Sequence, residues 1–260
     1  MENDKRLAAF AKLLDIMDEL REKCPWDRKQ TFESLRNNTI EETYELADAV
    51  IKKDLNEIRK ELGDLLLHIV FYAKIGSETG EFDIADVING ICDKLVYRHP
   101  HVFGNVDVNN DSEQVVKNWE QLKLSEKDGN KTVLSGVPVA LPALVKANRI
   151  QEKVSAVGFD WDNRHQVWEK VIEEYNEVQT EIENKNSEHL EQEFGDLIFA
   201  IVNAARLYDV DPETALERTN KKFINRFEYL EQQTIKQGRS LKTMTLDEMN
   251  EIWEEAKKFD

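Results

Sequence analysis

Two carboxylate patterns hold the chemistry this sequence offers. Glu41-Glu42-Thr43-Tyr44-Glu45 is followed by Glu61-Leu62-Gly63-Asp64, and Glu173-Glu174-Tyr175-Asn176-Glu177 by Glu193-Phe194-Gly195-Asp196. The same nineteen residues separate Glu42 from Glu61 and Glu174 from Glu193, 61 minus 42 and 193 minus 174. Residues three apart share a helix face, so Glu42/Glu45, Glu61/Asp64, Glu174/Glu177 and Glu193/Asp196 each project two carboxylates together. Two such helices side by side hold four carboxylates around one point. Carboxylates about 4 Å apart repel by roughly 1 kcal/mol in water and on the order of 4 kcal/mol when partly buried. A hard divalent cation removes that cost. Magnesium takes oxygen ligands and keeps waters and substrate phosphates in its shell, and manganese is an expected substitute. A single Glu-x-x-Glu in so acidic a chain would read as a solvated helix face. Repetition in fixed register favours a metal site for a phosphorylated substrate.

Basic residues follow each acidic pattern. Lys94 and Arg98, then Lys222 and Arg226, lie four apart, on one helical face where they could clamp phosphate oxygens or form salt bridges to the acidic helix. Trp161 and Trp253 could stack on a base or belong to the core. His99 and His101 flank Pro100 with no third ligand beside them. Cys24 and Cys92 sit in neither a Cys-x-x-Cys pair nor zinc spacing and read as free thiols.

The elements that must position these residues are helical. Leu7, Phe10, Leu13, Leu14 and Met17 recur at three- and four-residue intervals, as do Ile58, Leu62, Leu65, Leu66, Ile69 and Val70, and Phe194, Leu197, Ile198, Ile201 and Val202. No alternating strand pattern appears, and the few Gly and Pro residues punctuate the periodic segments. The expectation is an all-α fold. The duplication predicts two domains, residues 1–128 and 143–260, joined by a linker over 129–142 that is rich in Gly and Pro. Trp26-Asp27 is echoed by Trp161-Asp162 ahead of each Glu-Glu-x-x-Glu. A formal charge of −17 argues against nucleic acid polymers and anionic membranes as partners, though a mononucleotide needs only a metal and a few cations. The N-terminus opens into an amphipathic stretch without a signal-like apolar run, so a cytoplasmic location is expected.

At these residues the chain resembles the MazG family of nucleoside triphosphate pyrophosphohydrolases over nearly its whole length. Both halves contain the full Glu-Glu-x-x-Glu and Glu-x-x-Asp signature. Cys24-Pro25-Trp26-Asp27, Arg98-His99-Pro100-His101-Val102-Phe103 and Val157-Gly158-Phe159-Asp160-Trp161 look like the two-domain bacterial members. The resemblance implies magnesium-dependent hydrolysis of NTPs or dNTPs to monophosphate and pyrophosphate, in dimers whose two chains complete each four-helix unit. It implies that Glu174, Glu177, Glu193 and Asp196 hold metal, that Lys222 and Arg226 hold phosphates, and that Trp253 lies near the nucleotide. Lys170 and Glu173 fall on the same site-forming helix. His189 stands where a relative carries Lys. With no Ser or Cys nucleophile partnered by a His, Glu173 or Glu174 is the expected group to orient an attacking water. The resemblance makes the second half the principal site. Glu42, Glu45, Glu61, Asp64, Lys94 and Arg98 form a second site of catalytic, structural or regulatory role. A hydrolase restricted to modified nucleotides, and a helical scaffold whose acids merely solubilise it, are the competing readings.

Overall fold

The computed structural model describes residues 4–107, 111, 114–115, 118–119, 122 and 132–259. The described residues are helical, with no strand among them. They fall into two compact units divided after residue 108. The expected domain boundary at residues 128 and 129 lies outside the described residues, as does the start of the expected linker.

The first unit contains α1 (Lys5–Lys23), α2 (Phe32–Lys52), α3 (Leu55–Thr79), α4 (Ile84–Arg98) and the short α5 (Pro100–Phe103). Helices α2 and α3 form a hairpin, α1 packs on α3, and α4 meets α3. Met17, Leu35, Val70, Phe71 and Ile75 make the buried core, with Phe10, Leu13, Leu14, Leu67, Tyr72 and Ile84 at its edge. Arg21, almost buried, donates from Nε to Glu78 Oε1 at 2.8 Å and ties α1 to the end of α3.

The second unit contains α6 (Ala143–Ser155), α7 (Arg164–Asn184), α8 (Ser187–Leu207), α9 (Pro212–Lys236) and α10 (Leu246–Ala256). Here α7 and α8 form the hairpin, α6 lies against α8 and α9, and α10 folds back on α9. Leu230, Met244 and Ile252 form a small core under Trp253, Tyr229, Leu241 and Met249.

The sequence repeat is a repeat of local chemistry. Thr31 caps α2 by accepting the N–H of Ser34, and Asn163 caps α7 by accepting those of His165 and Gln166, each within a reciprocal capping box. Lys53 and Lys185 end these helices in the left-handed region, at φ 57° and 56°. Asp54 and Asn186 then cap the next helix through backbone N–H groups. Each pair is 132 positions apart, as in 185 minus 53 and 163 minus 31. Because Glu61 and Glu193 keep the same offset, an identical turn returns the chain so that each Glu-x-x-Asp segment faces the Glu-x-x-Glu segment before it.

The apolar periodicity is wider than one core face requires. Val70 and Val202 are buried, yet Leu62, Ile69, Phe194, Ile198 and Ile201 are exposed, Leu62 and Ile198 at 52% each. The hairpins therefore bury one stripe and present another. Among the described residues, no helix is long and apolar enough to cross a membrane.

Candidate active site

On α7, Glu174 and Glu177 are one turn apart, and the hairpin brings Glu193 of α8 to them. One carboxylate oxygen from each lies within 4.8 Å of the others. Glu174 is buried, Glu193 half-buried and Glu177 exposed, so the cluster opens to solvent on one side. Burial, and then the charges of Glu174 and Glu193, push the Glu177 carboxyl above its ordinary value. Three oxygen donors so close, with a carboxyl already resisting ionisation, suit a hard divalent cation. Asp196, one turn further along α8, is outside this trio and lines the cavity beside it.

Lys170 bridges the acids from the previous turn. Its Nζ lies 2.8 Å from Glu173 Oε1 and 2.6 Å from Glu174 Oε1. Hydrogen bonds to Glu173 and Glu174 raise its affinity for the proton well above that of an ordinary lysine, so it stays charged at neutral pH.

Behind the trio, a cavity of about 520 Å³ runs into the unit. Lys170, Glu174 and Asp196 stand on its wall together with Ile150, Val154, Phe159, Trp161, Phe199 and Ala200, and with the polar Gln151, Asp160, Asn203 and Arg206. The turn at Gly158, φ 93°, delivers Phe159, Asp160 and Trp161 to this wall. Arg206 fixes that turn with a two-pronged ion pair, Nη1 to Asp160 Oδ2 at 2.9 Å and Nη2 to Oδ1 at 2.5 Å. Burial alone would raise the Asp160 carboxyl, but the hydrogen bonds from Arg206, Ser155 and the Trp161 N–H outweigh it and hold it below its usual value.

The first unit assembles the same trio from Glu42, Glu45 and Glu61. Burial, followed by the charges of Asp64, Glu45, Glu61 and Glu41, raises the Glu42 carboxyl. Glu61 Oε2 is buried without a hydrogen-bond partner. What differs is the space behind the acids. At the 132-residue offset, Ala200, Asn203 and Ala204 of α8 correspond to His68, Phe71 and Tyr72 of α3. His68 Nδ1 sits 2.9 Å from Thr39 Oγ1, which is 2.7 Å from the Tyr72 hydroxyl, and Phe71 is part of the core. Burial lowers the affinity of His68 for a proton. Larger side chains thus stand in α3 at the positions that Ala200 and Asn203 hold on the cavity wall of α8, and the depression beside the first trio, about 450 Å³, is lined instead by Tyr44, Ala49 and charged residues that include Glu45, Lys60 and Glu61.

The remaining expected residues lie elsewhere. Lys222 and Arg226 line a separate basic depression of about 300 Å³ with Arg218, Lys221 and Asn225. Trp253 packs against Phe223 at 4.9 Å between centroids and under the Arg226 guanidinium at 5.6 Å, away from the cavity wall that Trp161 joins. His189 is exposed near the hairpin turn, with Nδ1 3.6 Å from Glu181 Oε2. Lys94 is exposed on α4, and Arg98 lies in its last turn. Sequence reasoning missed Gln151, Asn203 and Arg206. Gln151 left little signal, since its helical neighbours three and four residues away are Ala147, Asn148, Val154 and Ser155, a mixed face.

The MazG nucleotide pyrophosphohydrolase domain model matches residues 30–103 and 163–230, one segment over each acidic hairpin. The chain belongs to the MazG family. It is 44% identical over 254 residues to the nucleoside triphosphate pyrophosphohydrolase/pyrophosphatase MazG of Thermotoga maritima, covering 96% of each chain. It is 42% identical over 254 residues to the nucleoside triphosphate pyrophosphohydrolase of Escherichia coli K12, covering 95% of this chain and 96% of that one. It also shares 46% identity with YabN of Bacillus subtilis, an uncharacterized protein, over 96% of this chain and 52% of that one. Both MazG segments of the chain include a carboxylate trio, and the cavity described above lies behind the trio of the second segment.

Proposed function

We propose that this protein hydrolyses nucleoside triphosphates between the α and β phosphates, taking up water and releasing the nucleoside monophosphate and pyrophosphate. The working site is in the second unit, at Glu174, Glu177 and Glu193. One observation supports that choice above others: Glu174 of the second trio lines a cavity of mostly apolar surface, whereas the depression of about 450 Å³ beside Glu45 and Glu61 of the first trio is lined mainly by charged side chains, among them Glu41, Asp48, Lys52 and Lys60. A triphosphate can meet the acids while its nucleoside enters the cavity.

The cation is magnesium, with manganese able to replace it. When bound, it neutralises triphosphate oxygens and acidifies water. The side chains do the rest. Glu174, Glu177 and Glu193 hold the cation, and Asp196 adds a carboxylate at the cavity edge. Lys170 holds Glu174 in place and keeps Glu173 within 2.8 Å, from where Glu173 orients the attacking water. Lys222 and Arg226 neutralise the leaving pyrophosphate. These cations line a different depression from the acids in one chain, and exposed apolar stripes flank both hairpins. Both facts are met by a homodimer in which two copies complete the site.

Anion-exchange analysis of products from each common NTP and dNTP tests this, with magnesium or with chelator, on the parent protein and on Glu174→Ala and Glu42→Ala. The expected result is monophosphate and pyrophosphate, dependent on magnesium, reduced by at least about 100-fold in Glu174→Ala and retained in Glu42→Ala. Turnover that survives Glu174→Ala refutes the assignment, and loss in both variants moves the first trio into the working machinery.

A further inference from the structure

Gln151 is a buried polar group that the hydrolysis does not use. It is 3% exposed, on α6, and lines the cavity behind the acids. Its Nε2 donates to the Phe199 carbonyl at 2.9 Å, while its Oε1 is buried and accepts no hydrogen bond. The orientation of the amide is set by that carbonyl, which can only accept, so the oxygen is the end left over. A buried acceptor without a donor is unfavourable, and natural interiors rarely keep one. Gln151 stands on the wall of a chamber of mostly apolar surface that reaches Glu174 and Asp196. The neighbouring Asn203 has its Oδ1 occupied by Arg206, whose Nε and Nη2 donate to it at 3.1 and 2.8 Å. At the positions of Ala200, Asn203 and Ala204 the first unit has His68, Phe71 and Tyr72, so small residues there are not a requirement of the fold.

We propose that this cavity takes the base of the nucleotide and that Gln151 is its specificity-determining residue, Oε1 accepting a hydrogen bond from a ring or exocyclic N–H. This rests on the triphosphate reading of the trio. Phe159 and Trp161, exposed aromatic rings at the cavity wall, suit contact with an aromatic ring, and about 520 Å³ falls within the range of small-ligand pockets, ~300–1,000 Å³. A site built around a buried acceptor discriminates against a ligand that lacks the donor far more sharply than an apolar pocket does.

The test compares kcat/KM for the four common ribonucleoside triphosphates, each with a base N–H, with that for the triphosphate of unsubstituted purine riboside, which has none. The full chain with magnesium is expected to favour the best natural substrate by roughly 10- to 100-fold over the analogue. Gln151→Leu should shrink that preference to within about threefold, chiefly by raising KM for the natural substrate, with helical circular dichroism unchanged. Ala200→Leu, which fills the cavity from a strong helix former, should raise KM about tenfold or more, and decides the matter if Gln151→Leu fails to fold. Equal turnover of analogue and natural substrate, a preference that survives Gln151→Leu, or an unchanged KM in Ala200→Leu overturns the inference alone. Absence of turnover on every triphosphate overturns the hydrolase reading and this inference with it.

Discussion

Glu177 shows how a single side chain reports the crowding of like charge in the trio. Burial and the charges of Glu174 and Glu193 raise its carboxyl, so the folded, metal-free protein binds this proton more readily than the unfolded chain does. Its contribution to stability is present below the unfolded Glu value of about 4.3 and is lost as pH rises through the raised folded value. Glu177→Gln removes the repulsion. In chelator, the variant should therefore gain melting temperature relative to the parent as pH rises from about 4 to about 7. Magnesium should erase or reverse that gain, because the parent then recovers a ligand the variant lacks. Thermal melts across pH, with chelator and with magnesium, check this, and a difference independent of pH in chelator refutes it. The pairing of Glu174 with Glu177 was legible in the sequence because helical periodicity alone brings them together, and Glu193 joined them through the nineteen-residue offset that both halves share. That Asp196 sits outside the trio was not, since its place depends on how far α8 rotates against α7. Gln151 and the Asp160–Arg206 pair were less legible still, because contacts 48 and 46 residues apart leave no local pattern.

At the scale of the element, the two hairpins are set by their turns. Lys53 and Lys185 adopt φ near +57°, where a Cβ crowds the following carbonyl and costs a non-glycine residue roughly 1 kcal/mol. Lys185→Gly should relieve that cost and stabilise the protein by about 0.5–1 kcal/mol, part of the gain being offset by the greater freedom of Gly in the unfolded chain. A branched residue there, Lys185→Val, should destabilise by about 1 kcal/mol or more. Urea titrations read both signs, and a destabilised Lys185→Gly refutes the account. The helices themselves were legible from the three- and four-residue recurrence of apolar positions, and Asn163 and Thr31 are caps by type. The left-handed lysines were not, because Lys carries no preference for that backbone region and the turn is dictated by closure of the hairpin. The boundary between α6 and the preceding turn was legible from Pro142, which caps the helix as an extended residue.

At the scale of the whole molecule, the open question posed by the fold is what covers the exposed stripes. Gly195 sits in the middle of α8, where Gly costs about 1 kcal/mol relative to Ala. A Cβ built on it would meet no atom within 4 Å, so nothing in the described chain requires a glycine there. Gly63, its counterpart on α3, is equally open. Ile198 and Phe199, three and four residues beyond Gly195 and so on its face, are exposed. A second copy closing on this face would explain the missing side chain and the apolar stripe together, since close approach of another helix is what a mid-helix glycine permits. Gly195→Ala should then leave the secondary structure intact and strengthen α8 by up to about 1 kcal/mol in isolation, while Gly195→Leu obstructs the approach. Light scattering coupled to size-exclusion chromatography should find the parent a dimer and Gly195→Leu shifted to monomer by at least about tenfold in dissociation constant, with its helical circular dichroism preserved. Because Glu193 and Asp196 flank the position, the oligomeric mass and not the turnover is the deciding readout. A parent that runs as a monomer, or a Gly195→Leu variant that dimerises as well as the parent, would remove this face from the assembly and leave the mid-helix glycines without a packing reason.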